Sequence, residues 1–181
     1  MPSQKDELNF KRGPAMYLLL VGPREYAGAT VDVIRRLLRD DAKIVYIAVN
    51  KPAAVIEERL KDADVSSKDI FFIDCATASV SGETERKGNT VFVSPQNLTG
   101  LSLAISELLE ETPDKKAVVV FDEMNTLVVY NPLATVEKFA HFIANKVRLK
   151  NASGVLISTP DLTKELLSLL EGVCDKTIEY G

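Results

Sequence analysis

The sequence is poor in the residues that build metal and redox sites. Its 181 residues include one histidine, His141, two cysteines, Cys75 and Cys174, and no tryptophan. The cysteines are far apart and match no metal-ligand spacing, so a zinc site of Cys and His is not expected. Long apolar runs are also missing. Met16–Val21 and Ala117–Phe121 fall far short of the roughly 20 residues of a membrane-spanning helix, and no membrane partner is expected. Met1–Gly13 lacks the apolar centre of a signal peptide, which leaves a cytoplasmic, reducing location as the expectation. A basic excess is absent too. Lys and Arg number 22 against 26 Asp and Glu, a net charge of −4, which argues against a nucleic-acid partner.

What is present is a large apolar complement, 46% of the chain, arranged in short blocks. Residues 1–13 read as a flexible N-terminal tail and 14–181 as one domain. Tyr17–Val21, Lys43–Val49, Ile70–Ile73, Ala117–Phe121 and Gly154–Ser158 are continuous apolar runs without alternation. Strands covered on both faces look like this, as in a parallel sheet. Between them lie apolar stripes at helical spacing: Val31, Ile34, Leu37 and Leu38; Ile56, Leu60 and Ala63 after Pro52; Leu101, Ile105, Leu108 and Leu109; Val136, Phe139, Ala140, Ile143 and Val147; Leu162, Leu166, Leu169 and Leu170, ended by Gly172. Thr30 stands as the N-cap of the first stripe. His141 faces away from its helix's stripe, toward water. Cys75–Thr90 has no regular pattern and reads as a surface loop, a small hairpin or a binding loop. Cys174–Glu179 reads as a last strand at a sheet edge. Alternating strands and helices specify an α/β fold of three layers, a parallel sheet with helices on both faces.

Ligands in such sheets bind beyond the carboxyl ends of the strands. After the first strand comes Gly22-Pro-Arg24-Glu25-Tyr-Ala-Gly28-Ala29-Thr30. A phosphate-binding loop reads G-x-x-x-x-G-K-[ST]. Here one extra residue precedes Gly28, Ala29 holds the lysine position, and Thr30 keeps the hydroxyl that would meet magnesium. Ala29 cannot neutralise a triphosphate, and Glu25 adds negative charge. The segment is either a plain strand-to-helix connection or a weakened nucleotide pocket. The fourth strand, Val118–Asp122, has the form of a Walker B element, whose Asp would hold magnesium, although a strand-end acid also serves to cap the next segment. Asp74 ends the third strand in the same way.

Those elements occur in a suggestive combination. VVVFDEMNTLVVYN is followed by a helix with Phe139, Phe142, Val147 and Arg148, then by NASGVLISTP ending in Thr159 and Pro160. This resembles the KaiC-like branch of the RecA superfamily of ATPases. Lys43–Pro52 and Ile70–Asp74 are similar to that family's second and third core strands, and the likeness spans Tyr17–Glu179. It implies a RecA-like P-loop NTPase architecture lacking a functional Walker A, with the Asp122 strand next to the first strand, between it and the second. By the same resemblance Asp122 is the magnesium residue and Thr159 the nucleotide sensor. Gly22, Gly28, Thr30, Lys51 and Thr159 form the cofactor-binding set. Glutamates that polarise water follow the family's second strand; Asn50 and Lys51 stand there here. Glu123 is the substitute base if the domain is active.

Loss of both the lysine and the usual glutamates points to a catalytically inactive domain, a regulatory or scaffolding module in signal transduction. It needs no cofactor and works through a protein partner or as a homo-oligomer. Two alternatives stay open. One is an atypical ATPase binding Mg·ATP with Lys51 or Arg24 as the cation. The other is a sensor that binds a small anion or nucleotide without chemistry.

Overall fold

The computed structural model describes residues 13–112 and 116–180. The expected tail, Met1–Gly13, lies outside them apart from Gly13. Seven strands, β1 (Met16–Val21), β2 (Ala42–Ala48), β3 (Ile70–Asp74), β4 (Thr90–Phe92), β5 (Lys116–Asp122), β6 (Ser153–Ser158) and β7 (Lys176–Tyr180), form one sheet in the order β4-β3-β2-β5-β6-β1-β7. Every pair is parallel. The helices are α1 (Tyr26–Arg39), α2 (Ala53–Asp62), α3 (Cys75–Ser81), α4 (Leu98–Glu110), α5 (Leu127–Tyr130), α6 (Leu133–Leu149) and α7 (Lys164–Val173). None of the described helices is long and apolar enough to cross a membrane.

Alternation along the strands makes two cores. Leu19, Ile44, Tyr46, Phe72, Val118, Val120 and Ile157 point to the face covered by Val33, Ile34 and Leu37 of α1 and Ile56 and Leu60 of α2. Leu18, Val45, Ile47, Val119, Phe121 and Leu156 point to the other, covered by α4, α6 and α7 through Leu101, Ile105, Phe139, Ile143 and Leu170. The strands thus read as unbroken apolar runs because successive side chains enter opposite cores. Phe121 and Phe139 meet edge to face with ring centroids 6.0 Å apart. His141 is exposed, as its place on the helical wheel requires.

The strand order corrects one expectation. The Asp122 strand, β5, does not adjoin β1; it lies between β2 and β6, and β6 separates it from β1. The cause is burial. All six residues of β6 are buried, so it needs a neighbour on each side, whereas β7, whose Ile178 alone is buried, tolerates the edge.

The irregular stretch resolves in two parts: Lys87 and Thr90 exchange N–H···O bonds in a small antiparallel turn, as a hairpin would, but its first part differs. Cys75–Ser81 is helical, because Asp74 caps it by accepting the Thr77 N–H at 2.8 Å, and Gly82 ends it in the left-handed conformation at φ 70°. The chain then returns to the sheet as β4. Gly172 lies inside α7, which ends one residue later.

Candidate functional site

The carboxyl ends of β1, β2, β5 and β6 converge on one edge of the sheet. The β1–α1 connection there is four residues, Gly22–Glu25, and it folds on itself. The Glu25 N–H donates to the Gly22 carbonyl at 3.1 Å. The Glu25 carboxylate lies over Gly22 so closely that a Cβ on that glycine would sit 2.6 Å from Oε2. Glycine at position 22 is what lets this carboxylate approach.

Helix α1 starts at Tyr26, so Thr30 is not its N-cap. Thr30 is buried in the helix, and its hydroxyl donates to the Tyr26 carbonyl at 2.9 Å. The helix extends toward its N-terminus although Glu25 makes no side-chain cap bond. Tyr26 anchors the added turn: it is 5% exposed, its ring is in the core, and its hydroxyl donates to Asp122 Oδ1 at 2.6 Å. Ala29 is buried, and Gly28 is exposed on the outer side of the first turn with nothing within 4 Å of a Cβ.

Asp122 is buried at the end of β5. Its second oxygen, Oδ2, accepts the Tyr46 hydroxyl, also at 2.6 Å. Burial pushes the Asp122 carboxyl above its ordinary range, against the two phenol donors and, at longer range, Lys51 and Arg59. Burial, followed by the Asp122 charge, raises both phenols far above their ordinary value. Neither tyrosine stands out in the sequence as a site residue. The available signal is a tyrosine in the middle of a buried strand, whose hydroxyl requires a partner.

Glu123 follows in the left-handed conformation, φ 56°. Its N–H extends the ladder to the Ile157 carbonyl at 3.0 Å, and its carbonyl accepts the Thr126 N–H at 2.8 Å, opening a 3-10 turn, Met124–Thr126. Its carboxylate accepts the Asn50 amide. Burial raises the Glu123 carboxyl and the nearby Asp122 raises it further, while Lys51, Asn50 and Thr126 lower it. Lys51 sits with Nζ 5.9 Å from the Tyr26 ring centroid. Thr159 is half-buried after β6, and its side chain bonds Asp161, holding that carboxyl below its ordinary range. Beside it the Ser158 hydroxyl bonds Asn125 Oδ1 at 2.8 Å.

The structure thus brings Lys51, Asp122 and Glu123 together around Tyr26, and it places Gly28 and Thr30 away from them on and inside α1. A magnesium-bound triphosphate needs a wide loop of outward N–H groups, a hydroxyl and a carboxylate on the metal side, and a lysine. The residues present do not fit it: the turn is closed, Thr30 is engaged within its helix, and both Asp122 oxygens face phenols. Among the described residues no group of three or more His, Cys, Asp and Glu is placed to hold a metal.

A parallel seven-stranded sheet with helices on both faces, ending in this edge, is a RecA-like architecture. The chain belongs to DUF7504, a family of unknown function, whose profile matches residues 16–180. The fold is shared with the KaiC-like protein PH0186 of the hyperthermophilic archaeon Pyrococcus horikoshii OT3. The TM-score is 0.63 at 11% identity, over 92% of this chain and 71% of that one. It is also shared with the uncharacterized protein PH0321 of Pyrococcus horikoshii, solved in complex with an unknown peptide. There the TM-score is 0.70 at 10% identity, over 92% of this chain and 77% of that one. No curated protein matches the sequence.

Proposed function

We propose that this chain is a RecA/KaiC-like domain that does not hydrolyse nucleotide and acts through protein contacts, as a regulatory or scaffolding module. The closed Gly22–Glu25 turn carries this reading. A phosphate cradle works by aiming several unpaired N–H groups at the anion. Here Pro23 has none, the Glu25 N–H is spent on Gly22, and the Ala29 N–H is spent on the Glu25 carbonyl at 2.8 Å. Ala29 supplies no charge, and the Glu25 carboxylate repels a polyphosphate. Asn50 and Lys51 replace the glutamates that would activate water. The peptide bound to one protein of this fold supports a protein partner here. Free thiols at Cys75 and Cys174 suit a reducing, cytoplasmic setting.

Thermal unfolding with millimolar Mg·ATP tests the reading. The expected result is an unchanged transition. A site filled at 100 times its dissociation constant adds about 2.7 kcal/mol, so binding would be plain. A shift that disappears in Lys51→Ala or Arg24→Ala, with phosphate release, would establish the atypical ATPase instead. A shift with nucleotides or phosphometabolites but without turnover would establish a sensor.

A further inference from the structure

Two tyrosines meet one buried carboxyl that lies far from both along the chain. Tyr26 opens α1 and Tyr46 lies within β2, 96 and 76 positions from Asp122. Each donates to a different oxygen at 2.6 Å, a length within the range of charge-assisted O–H···O bonds, the stronger class. Asp122 is 3% exposed, Tyr26 5% and Tyr46 0%, so water does not compete for these bonds. Tyr46 also packs on Phe72, ring centroids 5.7 Å apart, which fixes its direction. The charged groups around the cluster are Glu123, Lys51 and Arg59.

A carboxyl buried this deeply needs counter-groups, because an unpaired charge in an apolar interior strongly destabilises the fold. In P-loop NTPases generally, the strand-end Asp of a Walker B element holds magnesium, and the cation supplies them. We infer that in this chain Tyr26 and Tyr46 have taken over that role. Their hydroxyls clasp Asp122 in place of a cation and pin the start of α1 to β2 and β5. A phenol suits the role because its ring extends the apolar core while its tip donates. The clasp also accounts for an α1 that begins without a side-chain cap, since the Tyr26 hydroxyl tethers its first residue. The inference rests on the proposed function in one respect only, that no cation competes for Asp122.

A double-mutant cycle tests it. With Asp122 present, Tyr26→Phe and Tyr46→Phe should each lower the folding equilibrium constant about tenfold to a hundredfold, the effect of losing a hydrogen bond to a buried charged group. In an Asp122→Ala background each change should be neutral or favourable, because the phenol has already lost its acceptor. Equal losses in both backgrounds would overturn the clasp. Should Asp122→Ala fail to fold, an Asp122→Asn background decides: each Tyr→Phe loss should be several times smaller there, because a neutral amide is the weaker acceptor, and losses as large as in the wild type would overturn the clasp. Millimolar magnesium chloride should leave unfolding of the wild type unchanged, and stabilisation by magnesium that Asp122→Asn abolishes would also overturn it. Binding of Mg·ATP with the coupling intact would refute the proposed function and leave the clasp standing. An absent coupling without nucleotide binding would do the reverse.

Discussion

Asp74 Oδ2 accepts the backbone N–H of Ala53 at 2.9 Å, so the last residue of β3 caps the first turn of α2. The same carboxylate caps α3, accepting the Thr77 N–H at 2.8 Å and the Thr77 hydroxyl at 2.7 Å. Pro52, at the N-cap of α2, offers no side-chain acceptor of its own. A strand-end acid at the carboxyl edge of the sheet is here a buried bracket for two helices. Asp74→Ala should lower the unfolding free energy by about 2–4 kcal/mol, and Asp74→Asn by about half of that. Urea unfolding followed by circular dichroism measures both. A loss under about 0.5 kcal/mol for the alanine variant would contradict the bracket.

Glu123 holds a backbone conformation that the other described non-glycine residues adopt only at helix ends. Among the described residues, Asp41, Asp64 and Asn151 also have positive φ, but each follows the C-cap of α1, α2 or α6. Glu123 instead turns the chain at the end of a strand. Glu123→Gly and Glu123→Ala lose the same carboxylate contacts, so their difference reports the backbone alone. The glycine variant should be the more stable by about 1 kcal/mol, the opposite of the usual order. Equal melting temperatures would show that the turn carries no strain.

The raised Glu123 carboxyl makes stability depend on pH. The folded protein binds this proton more tightly than the unfolded chain does, so ionisation of Glu123 opposes folding. Stability should therefore fall as pH rises from the ordinary glutamate value of about 4.3 through the raised one. Asp122, also raised, acts in the same sense. Glu83 and Glu111, lowered by Lys87 and Arg86, act in the opposite sense below the ordinary carboxylate range. Melting temperatures of the wild type and Glu123→Gln across pH check this. The variant should lose part of the downward slope, and identical slopes would refute the assignment.

Arg86 joins the segment after α3 to α4 through paired contacts with Glu111, at 2.5 and 2.9 Å. Its guanidinium also lies 5.9 Å from the Phe71 ring centroid. The pair is largely solvated, so it adds little to global stability. Its role is to hold the connection at residues 82–89 against the sheet. Arg86→Ala should leave the melting temperature almost unchanged while a glutamate-specific protease cuts after Glu83 and Glu85 several times faster. Unchanged cleavage would assign that fastening to other contacts.

Much of this architecture is legible in the sequence, for a physical reason. Strands buried on both faces leave unbroken apolar runs, and helices on the sheet leave one apolar stripe each. Val118–Phe121 and the stripe Val136–Val147 could hardly be read otherwise. Elements held by few residues are not legible. β4 has three half-buried residues, and α3 depends on the cap from Asp74 rather than on any apolar stripe. The start of α1 is obscured because Tyr26-Ala-Gly-Ala carries no capping signal. The site shows the same division. Asp122, Glu123 and Lys51 are legible as candidates because they stand at strand ends. The partners of Asp122 are hidden, since Tyr26 and Tyr46 resemble ordinary core aromatics until tertiary structure brings their hydroxyls together.

The place of β1 in the sheet bears on how the chain matures. Its neighbours are β6 and β7, both far along the sequence, with the Gly154 and Asp175 N–H groups donating to the Ala15 and Met16 carbonyls. During synthesis the first strand leaves the ribosome on the order of ten seconds before either neighbour exists. For that interval its apolar side chains and both backbone edges stand open. Premature termination anywhere before β6 would leave them so permanently, so the sheet cannot close around β1 until β6 and β7 have emerged.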